Sequence, residues 1–407
     1  MKRFGFVLVA AAFVLALMGC PSPAASTPPA KAGFVKGVIT AKGSVWVNGV
    51  EYDTAASTVH VDGVAASDAN LKVGMTVALN VVIDPVTGKA TAQTVNYESS
   101  VKGPVDTASV TTTGFSVFGQ LVDVLSTTVF EGGRTGVTGA TTPLVAGDFV
   151  EVSGQLDPAT NHLVANRVEY KATPEDFEIK GSVASLGAGT LAVTLESGVT
   201  FTVGYTGTLD PAVAVGTLVR VKFLTANLTP PTTLSNVPAG QIEVRTTELH
   251  PDSGDSVEVE GVVAHYVAGS PATFSVDGQA IEAAASLIPS VTPAFGDGTR
   301  VEVEGTLSGT TLVAAKLHAK KAEADLLDAK GTVSAVDTTA GTFTVHPTAG
   351  ADVVVAVDAS TIFHDPAWFG ADPLTKLVVN TDLVEVKYWV DSSAAPSVNR
   401  AVKVERQ

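Results

Sequence analysis

The 407-residue chain carries a single cysteine, Cys20, so it can build neither an intrachain disulfide nor a cysteine-rich zinc site. Aromatic residues make up only 6%, few for a protein built around stacking platforms. Charge is also sparse, at 16% of residues, and lopsided: 25 lysines and arginines face 41 aspartates and glutamates, leaving a formal charge of −16. A chain this acidic repels phosphate instead of displacing its counterions, which argues against a nucleic-acid partner. The motifs that announce common chemistries are missing too. There is no phosphate-binding loop and no His-Glu-x-x-His pair. Gly305-Thr306-Leu307-Ser308-Gly309 has its serine one place too late for a nucleophile elbow. No catalytic residue and no cofactor is expected. What is abundant is aliphatic: 45% of residues are hydrophobic, enough to fill cores, and the length exceeds one domain of ~100–150 residues.

The chain opens with Lys2 and Arg3, an apolar segment from Phe4 to Met18, and then Gly19-Cys20. A short positive start, an apolar run below the ~20 residues of a membrane span and a small residue before the cut site describe an export signal. Leu17-Met18-Gly19-Cys20 resembles the lipobox of bacterial lipoproteins. The resemblance implies cleavage after residue 19 and acylation of Cys20 with diacylglyceryl and fatty acyl (palmitate-type) chains. Two or three chains anchor stably where one does not, because each buried CH₂ contributes ~0.8 kcal/mol. Pro21 follows, not the aspartate that retains lipoproteins at the inner membrane, so an outer-membrane address is expected. Residues 20–32 read as a Pro/Ser/Ala tether.

The remainder repeats. Val35-Lys36-Gly37, Val101-Lys102-Gly103, Ile179-Lys180-Gly181, Val259-Glu260-Gly261 and Ala329-Lys330-Gly331 each open a copy. Each copy later shows a turn and alternating valines, as in Val73-Gly74-Met75-Thr76-Val77 or Asp297-Gly298-Thr299-Arg300-Val301. The fifth copy has Asn380-Thr381-Asp382 where the others carry glycine, and the third inserts a Pro/Thr/Ser-rich loop from Leu228 to Pro238. The copies are taken as residues 33–98, 99–173, 174–250, 251–324 and 325–407. Apolar residues recur at every second position and are rich in Val, Thr, Phe and Tyr, the signature of strands with one buried face. Asp157-Pro158-Ala159-Thr160-Asn161 reads as a hairpin turn with Asn in the left-handed position.

About five strands per copy, with a helical turn at Ala66 to Lys72 between the third and fourth, is the element order of an OB-type barrel. The expected fold is therefore all-β: a tandem array of about five small five-stranded OB-like barrels, sequential neighbours packed together, with a small β-sandwich as the rival. The framework of glycines and alternating valines resembles a bacterial envelope family built on a domain of unknown function. That family is common in lipoproteins and is expected to form OB-like barrels. It implies no activity.

Two constellations stand out. Val257-Glu258-Val259-Glu260-Gly261 and Val301-Glu302-Val303-Glu304-Gly305 fall on strands that pair in an OB barrel. Glu258, Glu260, Glu302 and Glu304 would then share a solvated outer patch beside Lys316, His318 and Lys320. That patch is cross-strand charge pairing in its plainer reading, and a weak cation site or a hydrolase's carboxylates in its sharper ones. His364, Trp368 and Phe369 form the least repeat-like stretch and are a candidate ligand loop. Trp46 and Trp389 are expected in the core or at a barrel end. The reading that follows is a non-enzymatic, lipid-anchored envelope protein with a structural, adhesive or binding role. Its partners would be the membrane, through the lipid, and an envelope protein or glycan. A carbohydrate-binding protein using the 364–369 loop is the alternative.

Overall fold

The structure is a computed structural model. It describes residues 31–42, 44–84, 87, 89–173, 176–195, 197–230, 232–245, 251–289, 294–321, 325–358, 361–364, 373–392, 394 and 396–406. Cys20, Trp368 and Phe369 lie outside them.

The fold is all-β, and its strands close into small barrels. Barrel 1 uses Lys31–Ala41, Val45–Val47, Val50–Asp53, Thr76–Ile83 and Ala90–Tyr97. The first three strands form an antiparallel meander, the third runs parallel to the fifth, and the fourth joins the fifth back to the first. That 1-2-3-5-4-1 circuit is the OB topology, and closure removes the edges a flat sheet would leave. Barrel 4 repeats it with Ser256–Val267, Ala272–Val276, Gln279–Ala283, Arg300–Ser308 and Thr311–Ala319. Barrel 5 does so with Leu327–Asp337, Thr342–Pro347, Val353–Ala356, Leu383–Asp391 and Val398–Arg406, its parallel contact reduced to Ala356 beside Arg400. Barrel 2 comprises Val101–Pro104, Gly114–Val117, Gln120–Glu131, Phe149–Asp157 and His162–Tyr170, and closes through one bridge, Val105 to Val117.

Barrel 3 departs from the expected pattern. It has Phe177–Gly187, Thr190–Thr194, Thr200–Thr206 and Leu218–Phe223, but its fifth strand is split. Thr233–Pro238 pairs in parallel with the third strand and Ile242–Val244 pairs with the fourth. The insertion is therefore not a simple loop, since its second half supplies the missing wall of the barrel. Barrel 1 also exceeds five strands, because the hairpin Thr58–Val61 with Val64–Ala66 extends the parallel contact along Ala90–Tyr97. Short 3₁₀ turns, Asp68–Asn70, Ala285–Leu287 and Pro373–Lys376, separate third and fourth strands in barrels 1, 4 and 5.

The repeated first-strand glycine has a steric cause. A β-carbon on Gly181 would sit 2.3 Å from the Thr194 carbonyl oxygen, and one on Gly331 would sit 2.2 Å from that of His346. In barrels 1, 2 and 4 the same space is taken by side chains: Asn48 and Phe118 from the turn after the second strand, and Val276 from the end of that strand. The first strand is closely approached here, and its pairing with the second shifts register just beyond. A second signature also resolves. Gly74, Gly147, Gly216 and Gly298 enter the fourth strand at φ between 85° and 88°, and Asn380 takes the same left-handed role in barrel 5 at 61°. Asn161 is left-handed too, at 58°.

Alternation sets the cores. Val301 and Val303 are fully buried, while Glu302 and Glu304 face away. Trp46 is half-buried between the buried Val45 and Val47, and Trp389 is half-buried with Lys321 Nζ 4.1 Å from its ring centre. Neither is a core residue, because alternation turns its ring away from the inward valines.

Packing does not simply follow chain order. Gly33–Lys36 of barrel 1 pairs in parallel with Ser256–Val259 of barrel 4. Barrels 2 and 3 share one continuous core, in which Phe118 lies 5.5–5.9 Å from Phe177, Phe201 and Phe223. Lys403 of barrel 5 donates to the buried Thr128 carbonyl of barrel 2 at 3.0 Å.

Gly331→Ala and Gly181→Ala should each lower stability by ~1–3 kcal/mol, because the new methyl meets backbone that cannot retreat. Gly240→Ala, where a β-carbon meets nothing within 4 Å, should change it by under ~0.5 kcal/mol. Urea denaturation curves measured side by side test the contrast.

Candidate functional site

The densest arrangement of charged side chains lies where barrels 1, 2 and 3 meet. Its frame is the end of Ala90–Tyr97 with the residues that follow, faced by the outward positions of Phe149–Asp157, His162–Tyr170 and the first and fourth strands of barrel 3. Because strand alternation turns valines inward, these positions carry polar residues, and here neighbouring barrels cover them.

Glu98 of barrel 1 receives three cations from barrel 3. Arg245 lies at 2.5 Å, Arg220 at 2.8 Å and Lys180 at 3.8 Å. Burial alone would raise the Glu98 carboxyl, but these cations outweigh it and hold it below its ordinary range. Lys180 also reaches Asp62 at 3.1 Å, Glu178 at 3.1 Å and the Ser99 carbonyl at 2.6 Å. Asp62 accepts from the Ser99 amide and hydroxyl as well; burial opposes its ionisation, yet Lys180 and those bonds keep it low. Arg220 completes the link by donating to Glu178 at 3.1 Å.

A second knot joins barrels 1 and 2. Arg167, 1% exposed, donates to the Val73 carbonyl of barrel 1 and to Glu131 and Glu169 of its own barrel. Tyr97 donates to Glu151 at 2.9 Å, with Lys171 at 3.5 Å and Lys102 at 3.9 Å from the same carboxylate. Glu151 is pushed up, first by burial and then by Asp62, against the pull of the two lysines. A cleft of about 520 Å³ opens between the knots, lined by Asp62, Lys102, Glu151, Lys171, Glu178 and Lys222.

The carboxylates of barrel 4 behave differently from the expected solvated patch. The predicted pairing is present: Glu258 faces Glu304, and Glu260 faces Glu302. Lys316 ends on Glu304 at 2.6 Å, and Lys320 ends on Glu302 at 2.7 Å. Lys320 and Arg300 also approach Glu260, at 3.9 and 3.8 Å. The outer face is nevertheless partly covered, because the parallel pairing with barrel 1 brings Asn48 against Glu258. Glu258 is pushed up to about 8, by burial first and then by Glu302 and Glu304, although Asn48 donates to it. Glu260 is 7% exposed. Cations, not a metal geometry, answer these carboxylates, and no group of three His, Cys, Asp or Glu is arranged to hold a metal among the described residues.

The other sequence-predicted site residues are scattered. His364 ends the short strand Ile362–His364, which runs parallel to Val398–Arg406. Trp368 and Phe369 fall outside the described residues, as does Cys20. Sequence reasoning missed Glu98, Arg220 and Arg245 altogether. Lys180 was visible only as part of the repeated opening motif, because nothing local marks it as facing another barrel.

Residues 32–96, 102–169 and 330–405, together about half of the chain, match a family described as a domain of unknown function, DUF5666. The chain belongs to this family. Comparison with curated proteins finds no match. The DUF5666 segments coincide with barrels 1, 2 and 5. Barrels 3 and 4 lie outside them yet share the topology, and barrel 3 carries the split strand.

Two measurements probe the seam. Glu98→Ala removes the carboxylate that Arg245, Arg220 and Lys180 share, while Lys180 and Arg220 keep Asp62 and Glu178, and should cost ~1.5–3 kcal/mol in urea denaturation. Glu258 has a raised acid pKa in the folded state, so the folded protein holds this proton more tightly than the unfolded chain. Its contribution should be undiminished near pH 4 and fall as pH rises from about 4.5 to about 8. Glu258→Gln should abolish that part of the pH dependence, so the variant gains on the wild type between pH 5 and 9.

Proposed function

We propose that the chain is a non-enzymatic, lipid-anchored protein of the bacterial envelope. Cys20 carries the acyl chains at the outer membrane, residues 20–32 form the tether, and the barrels act as one stiff body with a structural or binding role. The observation that carries this reading is the convergence of Lys180, Arg220 and Arg245 on Glu98, a link between barrels distant in sequence. Cross-barrel ties of this kind hold exposed loops in a fixed arrangement, which suits a protein that displays surface. The seam's carboxylates are occupied by cations or hydroxyls, which suits holding shape over moving protons. Membership in the DUF5666 family fits a scaffold reused with varied loops.

Metabolic labelling with a radioactive or clickable palmitate in a bacterial host tests the anchor. The wild-type chain should take up label and float with outer-membrane fractions on a density gradient. Cys20→Ser should be unlabelled and released into the soluble fraction. A Cys20→Ser variant that still floats with membranes defeats the reading.

A further inference from the structure

Barrels 1 and 4 meet along one short parallel contact, Gly33–Lys36 beside Ser256–Val259. Alternation divides the side chains of this contact between two environments. Phe34 of barrel 1 is buried in the core of barrel 4 with Val257 and Val259, and Lys36 of barrel 1 pairs with Asp277 of barrel 4. Both hold the barrels together. Glu258 lies between the inward Val257 and Val259, so it faces out of its own barrel, and barrel 1 partly covers it.

The ionisable groups around Glu258 come from three directions. On the fourth strand of barrel 4, Glu304 stands directly opposite and Glu302 one step along the diagonal. Facing positions bring β-carbons to ~4.5–5.5 Å, where like charges repel. On the fifth strand, Lys316 ends on Glu304, Lys320 ends on Glu302, and His318 stands opposite Glu302. On its own strand, Glu260 draws Lys320 and Arg300. From barrel 1 come the Asn48 amide, which donates to Glu258, and Tyr52, whose phenol is kept protonated by burial first and then by Glu258, Glu304 and Glu302. The cations are therefore taken up by the neighbours, and none among the described residues forms an ion pair with Glu258. Asn48 is 8% exposed, and its Oδ1 is buried without a donor. An ionised carboxylate can only accept, whereas a neutral carboxyl also carries a hydroxyl able to answer that amide oxygen.

We propose that the contact between barrels 1 and 4 is a proton-operated clasp, closed while Glu258 is neutral and opened when Glu258 ionises. Neutral, the carboxyl exchanges hydrogen bonds with Asn48. Ionised, it is a third negative charge beside Glu302 and Glu304, relieved when barrel 1 moves off and water reaches it. The opening is local, because barrel 4 keeps its own ties to barrel 2 through Gln155 on the Glu260 carbonyl and Arg300 on Asn166. The closed contact holds the proton more tightly than the open one. Closure is therefore undiminished near pH 4 and is lost as pH rises from about 4.5 to about 8. The clasp does not depend on the lipid anchor.

Amide hydrogen exchange of the full chain in detergent, corrected for the intrinsic pH dependence of exchange, tests the clasp. Between about pH 6 and pH 9, protection of residues 33–36 and 256–259 should fall at least ~10-fold. Over the same range, protection of residues 191–193 in barrel 3 and 343–345 in barrel 5 should change less than ~3-fold. Glu258→Gln, neutral at every pH, should keep the contact protected throughout. Glu304→Gln removes the facing charge and frees Lys316 to answer Glu258, so its loss of protection should be at least ~3-fold smaller than that of the wild type. The proposal is overturned if the wild-type contact keeps its protection at pH 9, if protection falls equally in all barrels, or if either variant loses protection as the wild type does.

Discussion

Charge buried between barrels is the interaction on which this architecture rests. A small closed barrel buries only ~60% of its unfolded surface and, without disulfides, is marginal alone. Here the outward faces that would meet water in an isolated barrel are turned against one another instead. Lys180, Arg220 and Arg245 enter that seam already matched to Glu98, Asp62 and Glu178. Such groups add little net stability compared with an apolar interface of the same shape, because desolvation offsets much of the attraction. They do penalise wrong arrangements: a barrel docked in another register would bury these charges unpaired. The seam therefore specifies which barrel meets which.

Apolar contact supplies the complementary part. Phe118 projects from barrel 2 into the ring cluster of barrel 3, where the glycine of Val101-Lys102-Gly103 leaves it room. The same opening is filled by Asn48 in barrel 1 and by Val276 in barrel 4. One framework position thus accepts side chains of different chemistry, and each choice tunes a different surface. Asn48, for example, reaches both the Lys36 carbonyl and the Glu258 carboxyl at the contact between barrels 1 and 4. Variation on a fixed frame accounts for two barrels that keep the OB circuit while lying outside the segments matched by the DUF5666 family.

The resulting body brings together residues far apart in the chain. Gln155 bonds to Glu260, Arg300 to Asn166, and Lys403 to Thr128, each across a boundary between barrels. A cavity lined by residues of barrels 1 to 4 lies at their junction.

Much of each barrel was legible in the residues themselves. Period-two valines marked the strands, the repeated glycines marked where each copy opens, and Asn380 stood recognisably where other copies carry glycine. These are local signals, since alternation and backbone freedom depend on near neighbours in the chain. That the strands carrying Glu258 and Glu304 pair also followed, once the OB order was assumed; the register did not. What the sequence could not express is which outward face is wet. Lys180 and Lys330 occupy the same place in the repeat, yet the first has a 9% exposed side chain and the second 54%. Burial of an outward side chain depends on a partner surface dozens or hundreds of residues away. No local pattern encodes that distance, so the sequence by itself determined the barrels and the tertiary structure alone decided their seams, their shifted carboxylates and their shared cavity.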